Sequence, residues 1–108
     1  MEEYLMGSLK RRKDSNFFGK YRVSSTNFEV VAIWNFTSVG IALMVESNNP
    51  ADVIQYSFDG QTVHGDMTPL LPSEGIVFDN RFQSKVWFRR ATPGDPVLVR
   101  VEAWRNEA

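Results

Sequence analysis

One histidine, with a serine and several aspartates near it, is the obvious place to look for chemistry in this chain. His64 stands between Asp59 and Asp66, and Ser57 lies two positions before Asp59. Ser57, His64 and Asp59 supply the residue types of a hydroxyl nucleophile, its base and the group that orients the base. Nothing around them resembles a nucleophile elbow or another activating context. Ser57 alternates outward on a strand, where a serine is ordinary. His64 is therefore expected to be a hydrogen-bonded structural residue, and no enzymatic activity is expected. Asp59, Asp66 and Asp79 lack the alternating acidic spacing, closed by a glutamate, of a calcium-binding loop, and aspartate in turns is explained by its local backbone bonds. With no cysteine and one histidine in 108 residues, a cysteine-ligated zinc site, a multi-histidine metal centre, a disulfide scaffold and a thiol nucleophile are excluded. Gly60, Gly65 and Gly75 are scattered and none opens a helix, so there is no phosphate-cradling loop. No metal and no cofactor is expected.

Binding chemistry is better represented. If Val86 and Phe88 point into a core, Lys85, Trp87 and Arg89 point out; if Val99 and Val101 point in, Leu98, Arg100 and Trp104 point out. Two tryptophans, a leucine and three cations on one side of a sheet would be costly to leave in water, and Trp and Arg are favoured at interface centres. Such a face would bind another protein, stack on a sugar, or stack on single-stranded nucleic acid. The competing reading is a second core layer, with the amino-terminal arm or a loop folded over it.

The arm has its own charge. Residues 1–24 carry six basic residues (Lys10, Arg11, Arg12, Lys13, Lys20, Arg22) against three acids, while the rest of the chain carries six basic residues against ten acids. A basic arm on an acidic body reads as an interaction tail for an acidic protein surface or for nucleic acid, against the plainer reading of a solvated terminus. The overall pI near 5.8 argues against a dedicated nucleic-acid binder. Phe17, Phe18 and Tyr21 beside the basic cluster predict that part of the arm docks on something, since wholly disordered tails are poor in aromatics.

The elements that would position these residues are strands. Phe28, Val30, Ala32 and Trp34 alternate with Glu29, Val31, Ile33 and Asn35, and the apolar residues at both parities predict a strand covered on both sides. Ile41, Leu43 and Val45 alternate with Ala42, Met44 and Glu46, and residues 47–52 form a turn by composition. Ile54, Tyr56 and Phe58 alternate with Val53, Gln55 and Ser57. Asp59-Gly60 then predicts a tight hairpin turn, with residues 61–64 as the returning strand. Residues 65–75 read as a loop or edge segment, residues 76–78 as a short strand, and Asp79-Asn80 as a turn. Phe82, Ser84, Val86 and Phe88 alternate next; residues 92–96 are a turn; Val97, Val99, Val101 and Ala103 close the pattern. About seven or eight short antiparallel strands with regular turn signals predict an all-β fold, a single small β-sandwich or barrel. The expected division is a basic, partly extended arm over residues 1–24 and one domain over residues 25–106.

Composition agrees with one soluble domain: 43% hydrophobic and 23% charged residues supply one core and no more. The apolar run at residues 39–45 is far short of a membrane-spanning helix, and the opening Met-Glu-Glu-Tyr lacks the features of a signal peptide, so neither membrane contact nor export is expected.

Several stretches carry a resemblance: Ile54-Gln55-Tyr56-Ser57-Phe58-Asp59-Gly60; Val63-His64-Gly65-Asp66; Phe78-Asp79-Asn80-Arg81; Ser84-Lys85-Val86-Trp87-Phe88-Arg89; and Val99-Arg100-Val101-Glu102-Ala103-Trp104. Across residues 40–105 this pattern resembles small structural proteins of tailed bacteriophages. The resemblance implies a non-enzymatic virion component: a capsid cement protein, a head–tail connector or neck subunit, or part of a tail. Its partners would be capsid, portal or tail subunits and further copies of itself, in a virion assembled in the host cytoplasm. The arm would lie on a neighbouring subunit or face packaged DNA. The alternative is a carbohydrate-binding module for host attachment, which would share the sandwich and the exposed tryptophans.

Overall fold

The computed structural model describes residues 15–69 and 75–105. These form one antiparallel sheet of six strands: β1 (Ser15–Val23), β2 (Val30–Glu46), β3 (Ile54–Ser57), β4 (Gly65–Met67), β5 (Ile76–Arg90) and β6 (Val97–Arg105). Their order across the sheet is β1-β6-β2-β5-β3-β4, and the sheet is not closed into a barrel. The pairing is nested, first strand with last, second with fifth, third with fourth. The all-β antiparallel expectation holds.

The strand count is six because two pairs of expected strands are each continuous. Residues 30–35 of the first expected strand and residues 41–46 belong to one long strand, β2, and residues 76–78 and 82–89 to another, β5. Asp79-Asn80, read as a turn, does not reverse the chain. Asn80 takes a positive φ of 62°, a conformation asparagine tolerates better than most residues, and the chain passes through an irregularity in the ladder. Ile33 faces Lys85, Ser38 faces Gln83 and Gly40 faces Asp79. Between the outer pairs β2 therefore uses six residues where β5 uses five. That extra residue switches the core-facing parity of β2, from Ala32 and Trp34 to Ile41, Leu43 and Val45.

At this irregularity the sheet bends. Tyr56 is the cross-strand partner of Phe88, yet its ring lies 5.6 Å from that of Phe78. The ten residues from Phe78 to Phe88 would span roughly 33 Å if straight, at about 3.3 Å per residue, so β5 must turn sharply between them. Side chains replace the ladder at the bend: the Trp34 indole N–H and the Ser38 hydroxyl both donate to the Gln83 carbonyl, at 3.1 and 2.9 Å.

The result is two halves sharing β2 and β5. In one half β1, β6, the end of β2 and the start of β5 lie side by side. In the other the start of β2, the end of β5, β3 and β4 do so. Their inner faces merge into one core that includes Ile41, Leu43, Ile54, Val86, Phe88, Val99 and Val101, and burying a side chain of this kind contributes about 1.5–3 kcal/mol. Aromatic contacts close both margins, Phe17 on Trp34 at 5.4 Å and Phe78 on both Tyr56 and Phe58.

Three local expectations are corrected. The Asp59-Gly60 hairpin is not a two-residue turn, and residues 61–64 are not a strand; the loop runs from Phe58 to His64 before β4 begins. Asp59 prevents the tight reversal by accepting the N–H groups of Gln61 and Thr62 at 2.8 and 2.7 Å. The start of β2 is not covered on both sides, since Ile33 is 60% exposed. Residues 15–23, expected within the arm, pair along their whole length with β6 as a strand of the sheet; residues 1–14 lie outside the described residues.

Candidate functional site

The residues of the catalytic reading lie close together but are not wired as a relay. The Ser57 hydroxyl donates to Asp59 Oδ1 at 2.8 Å and accepts the N–H groups of Asp59 and Gly60. His64 takes no part in this: its Nδ1 accepts the Phe58 N–H at 3.1 Å, and its own N–H donates to the Tyr56 carbonyl. Both are turn-building contacts. The Thr62 and Gln61 N–H groups, joined by the Ser57 hydroxyl, hold the Asp59 carboxyl well below the usual carboxylate range. Among the described residues, no group of three acidic or histidine side chains is placed to hold a metal ion, so Asp59, Asp66 and Asp79 do not converge.

The outward alternation expected for Lys85, Trp87 and Arg89 and for Leu98, Arg100 and Trp104 is present, with Val86, Phe88, Val99 and Val101 all buried between them. The two groups do not form one patch. Trp87 stands opposite Val31 and Ser57 in the half that contains β3, whereas Trp104 stands opposite Asn16 and Gly40 in the half that contains β1. The bend places them on the outer surfaces of different halves.

Each tryptophan is half-buried on a glycine. A methyl group on Gly40 would overlap the Trp104 indole, and one on Gly60, whose φ is +83°, would meet the Trp87 indole. Lys85 lies over the Trp87 ring at 5.3 Å. Arg89 stacks on Phe28 at 4.4 Å and donates to Gln55 at 2.8 Å. Arg100 pairs with Glu46 at 3.5 Å, and Glu46 also receives Lys20 at 3.5 Å. Most of the cations of the expected face are thus engaged within the chain.

The arm residues divide similarly. Phe17 stacks on Trp34 and Tyr21 packs against the core, while Phe18 is 58% exposed. Lys10, Arg11, Arg12 and Lys13 lie outside the described residues.

What the sequence reading missed is the outer margin of the sheet. Phe18 on β1, Ile33 at the start of β2 and Val77 at the start of β5 are large apolar residues, each about three-fifths exposed. All three lie where a strand segment has a partner on one side only among the described residues. Natural sheets blunt such margins with charge, proline or cover, because an open edge is a template for another strand. A signal was available: Ile33 and Val77 are apolar at the parity opposite their core-facing neighbours.

A second missed feature is Arg81. Its guanidinium stacks on Phe58 at 4.0 Å, and its Nε is buried without a hydrogen-bond partner among the described residues. Burial, reinforced by the Asp66 carboxylate, raises the Tyr56 phenol above its ordinary value, and Arg81 opposes that shift.

No protein-family model, no curated protein and no solved structure matches the chain.

Proposed function

We propose that the chain is a non-enzymatic structural subunit of a tailed-phage virion, a capsid cement or head–tail connector component, that assembles through its sheet margins. The observation that carries this reading is the exposure of Phe18, Ile33 and Val77 on open strand segments, since an open edge bearing apolar side chains is a template for a further strand. The strand order supports it. If β2 and β5 are each counted as two segments, the halves read 1-8-3-6 and 2-7-4-5 in chain order. That order matches the one a jelly roll of two packed sheets would have, an architecture found in viral capsid and lectin domains. The fold alone does not choose between shell and sugar binding.

The tryptophans favour the shell. A sugar platform needs accessible rings acting together, and Trp87 and Trp104 lie on different halves, each flat on a glycine. The residues 10–13 cluster would add contact with an acidic protein surface or packaged DNA.

Light scattering of the full chain across protein and salt concentration tests the reading, with a discrete oligomer as the expected result. A monomer at all concentrations that binds immobilised glycans would replace it with the carbohydrate-binding module.

A further inference from the structure

Across the outer face of the half that contains β1, cross-strand partners form continuous rows. One row runs Phe18–Glu102–Ala42–Val77, and the next Asn16–Trp104–Gly40–Asp79. The first begins and ends on an exposed apolar residue, Phe18 at one margin and Val77 at the other, 58% and 59% exposed. Both margins are open among the described residues: β1 pairs with β6 alone, and residues 76–79 of β5 pair with β2 alone.

Strand direction is equally specific. The four segments of this half alternate strictly, so β1 and the start of β5 run in opposite directions. A second copy in the same orientation, set beside the first, would present the start of its β5 to β1 as an antiparallel neighbour. At unchanged level, Phe18 would then stand directly opposite Val77 of that copy, and Asn16 opposite Asp79.

The margins also differ in charge. β1 carries Lys20 and Arg22 and no acid over Ser15–Val23. The opposite margin carries Asp79, with Asp66 on adjacent β4, and no base in residues 75–80 or 65–69. Gly65 and Phe78 both lie against the Tyr56 ring, which brings these two acids to the same margin. In the level register Asp79 faces Asn16 and lies four residues from Lys20, so the charge difference selects which margins meet without forming a pair across the ladder, whereas a twofold pairing of β1 with β1 would bring cations to cations.

We propose that copies of this chain join head to tail, β1 of one adding to the start of β5 of the next, in the register that sets Phe18 against Val77. The proposal rests on the assembly reading above and names its seam. Each seam is short, a ladder of about four residues, so it holds through repetition around a closed ring.

The chain has no cysteine, so introduced thiols report cleanly, and directly opposed positions in an antiparallel pair have the Cα spacing a disulfide needs. Phe18 and Val77 are exposed, so both substitutions spare the core; circular dichroism checks this. In the full chain, Phe18→Cys with Val77→Cys together should give a ladder of covalent multimers under mild oxidation. Either substitution alone should give monomer, and a mixture of the two single variants should give dimers. Val77→Glu should weaken association at least tenfold by sedimentation. Dimers from Phe18→Cys alone would overturn the head-to-tail seam in favour of a twofold one. An oligomer by sedimentation that gives no ladder would overturn the seam and leave the assembly reading standing. A monomer at every concentration would overturn both.

Discussion

Arg90 is the residue whose loss the fold should feel most. It is 4% exposed, and its guanidinium donates to the Thr92 carbonyl at 2.8 Å, the Asp95 carbonyl at 2.8 Å and Asp52 Oδ1 at 3.1 Å. It thereby ties the loop between β2 and β3 to the turn between β5 and β6, filling space that a methyl group on Gly94 would need. Arg90→Met keeps the apolar stem and deletes all three charged donors. Removing one partner of a buried pair costs about 3–5 kcal/mol. Thr92 and Asp95 are exposed turn residues whose carbonyls can regain water, and Asp52 keeps the Ser47 hydroxyl at 2.6 Å. The expected loss is therefore at the lower end, about 3 kcal/mol. For a domain of this size that lowers Tm by roughly 12–24 °C. Urea and thermal unfolding followed by circular dichroism measure both quantities. Asp52→Asn should cost less than Arg90→Met, and the double variant less than the sum of the two, because the second change removes a partner already abandoned. A loss under about 1 kcal/mol for Arg90→Met, or strict additivity in the cycle, would refute the clamp.

Asp59 and Asp52 both have depressed carboxyl pKa values, Asp59 through the Thr62 and Gln61 N–H groups and Asp52 through the Ser47 hydroxyl and then Arg90. Their contribution is fully present above the unfolded carboxylate value of about 3.9 and lost as pH falls through the lower folded values. Tm should be level from about pH 5 upward on this account and fall below it, with Asp59→Asn flattening part of the fall in a pH series. Gly40→Ala should force the Trp104 indole off the sheet, costing about 1–3 kcal/mol and shifting tryptophan fluorescence; an unchanged spectrum would refute the stacking. His64→Ala should cost about 1 kcal/mol, the acceptor for one N–H, and should not abolish oligomer formation in light scattering; loss of the oligomer would assign the ring a role at the seam.

Period-two alternation made the strands legible, and the inward choices at Val86, Phe88, Val99 and Val101 followed directly from it. Continuity was not legible. Asp79-Asn80 has the composition of a turn, and only the tertiary ladder decides that Asn80 absorbs an irregularity instead of reversing the chain. The same bend explains why Trp87 and Trp104, each correctly read as facing away from the core, do not share a patch: alternation fixes the face, and a bend decides which way that face looks. Asp59-Gly60 misled for a different reason. The dipeptide predicts a tight turn from its backbone preference, whereas the Asp59 side chain binds the next turn and widens it. Apolar residues at both parities predict a covered Ile33 because core strands have that pattern, and open edges have it too when a partner is meant to cover them.

Ser15 and Arg105, near the two ends of the chain, are partners in the β1–β6 ladder. A stretching force applied through these two points would meet that ladder from its end and part it one rung at a time, as a zipper opens. A force pulling β1 and β6 from opposite ends of that ladder would load all its rungs at once, in shear. Optical-tweezer extension from handles at residues 15 and 105 should therefore yield at lower force than extension from handles at residues 23 and 105; equal forces would refute this. In a wall built of such subunits, the molecule would be soft to a tug on its tails and stiff to a load carried along its strands.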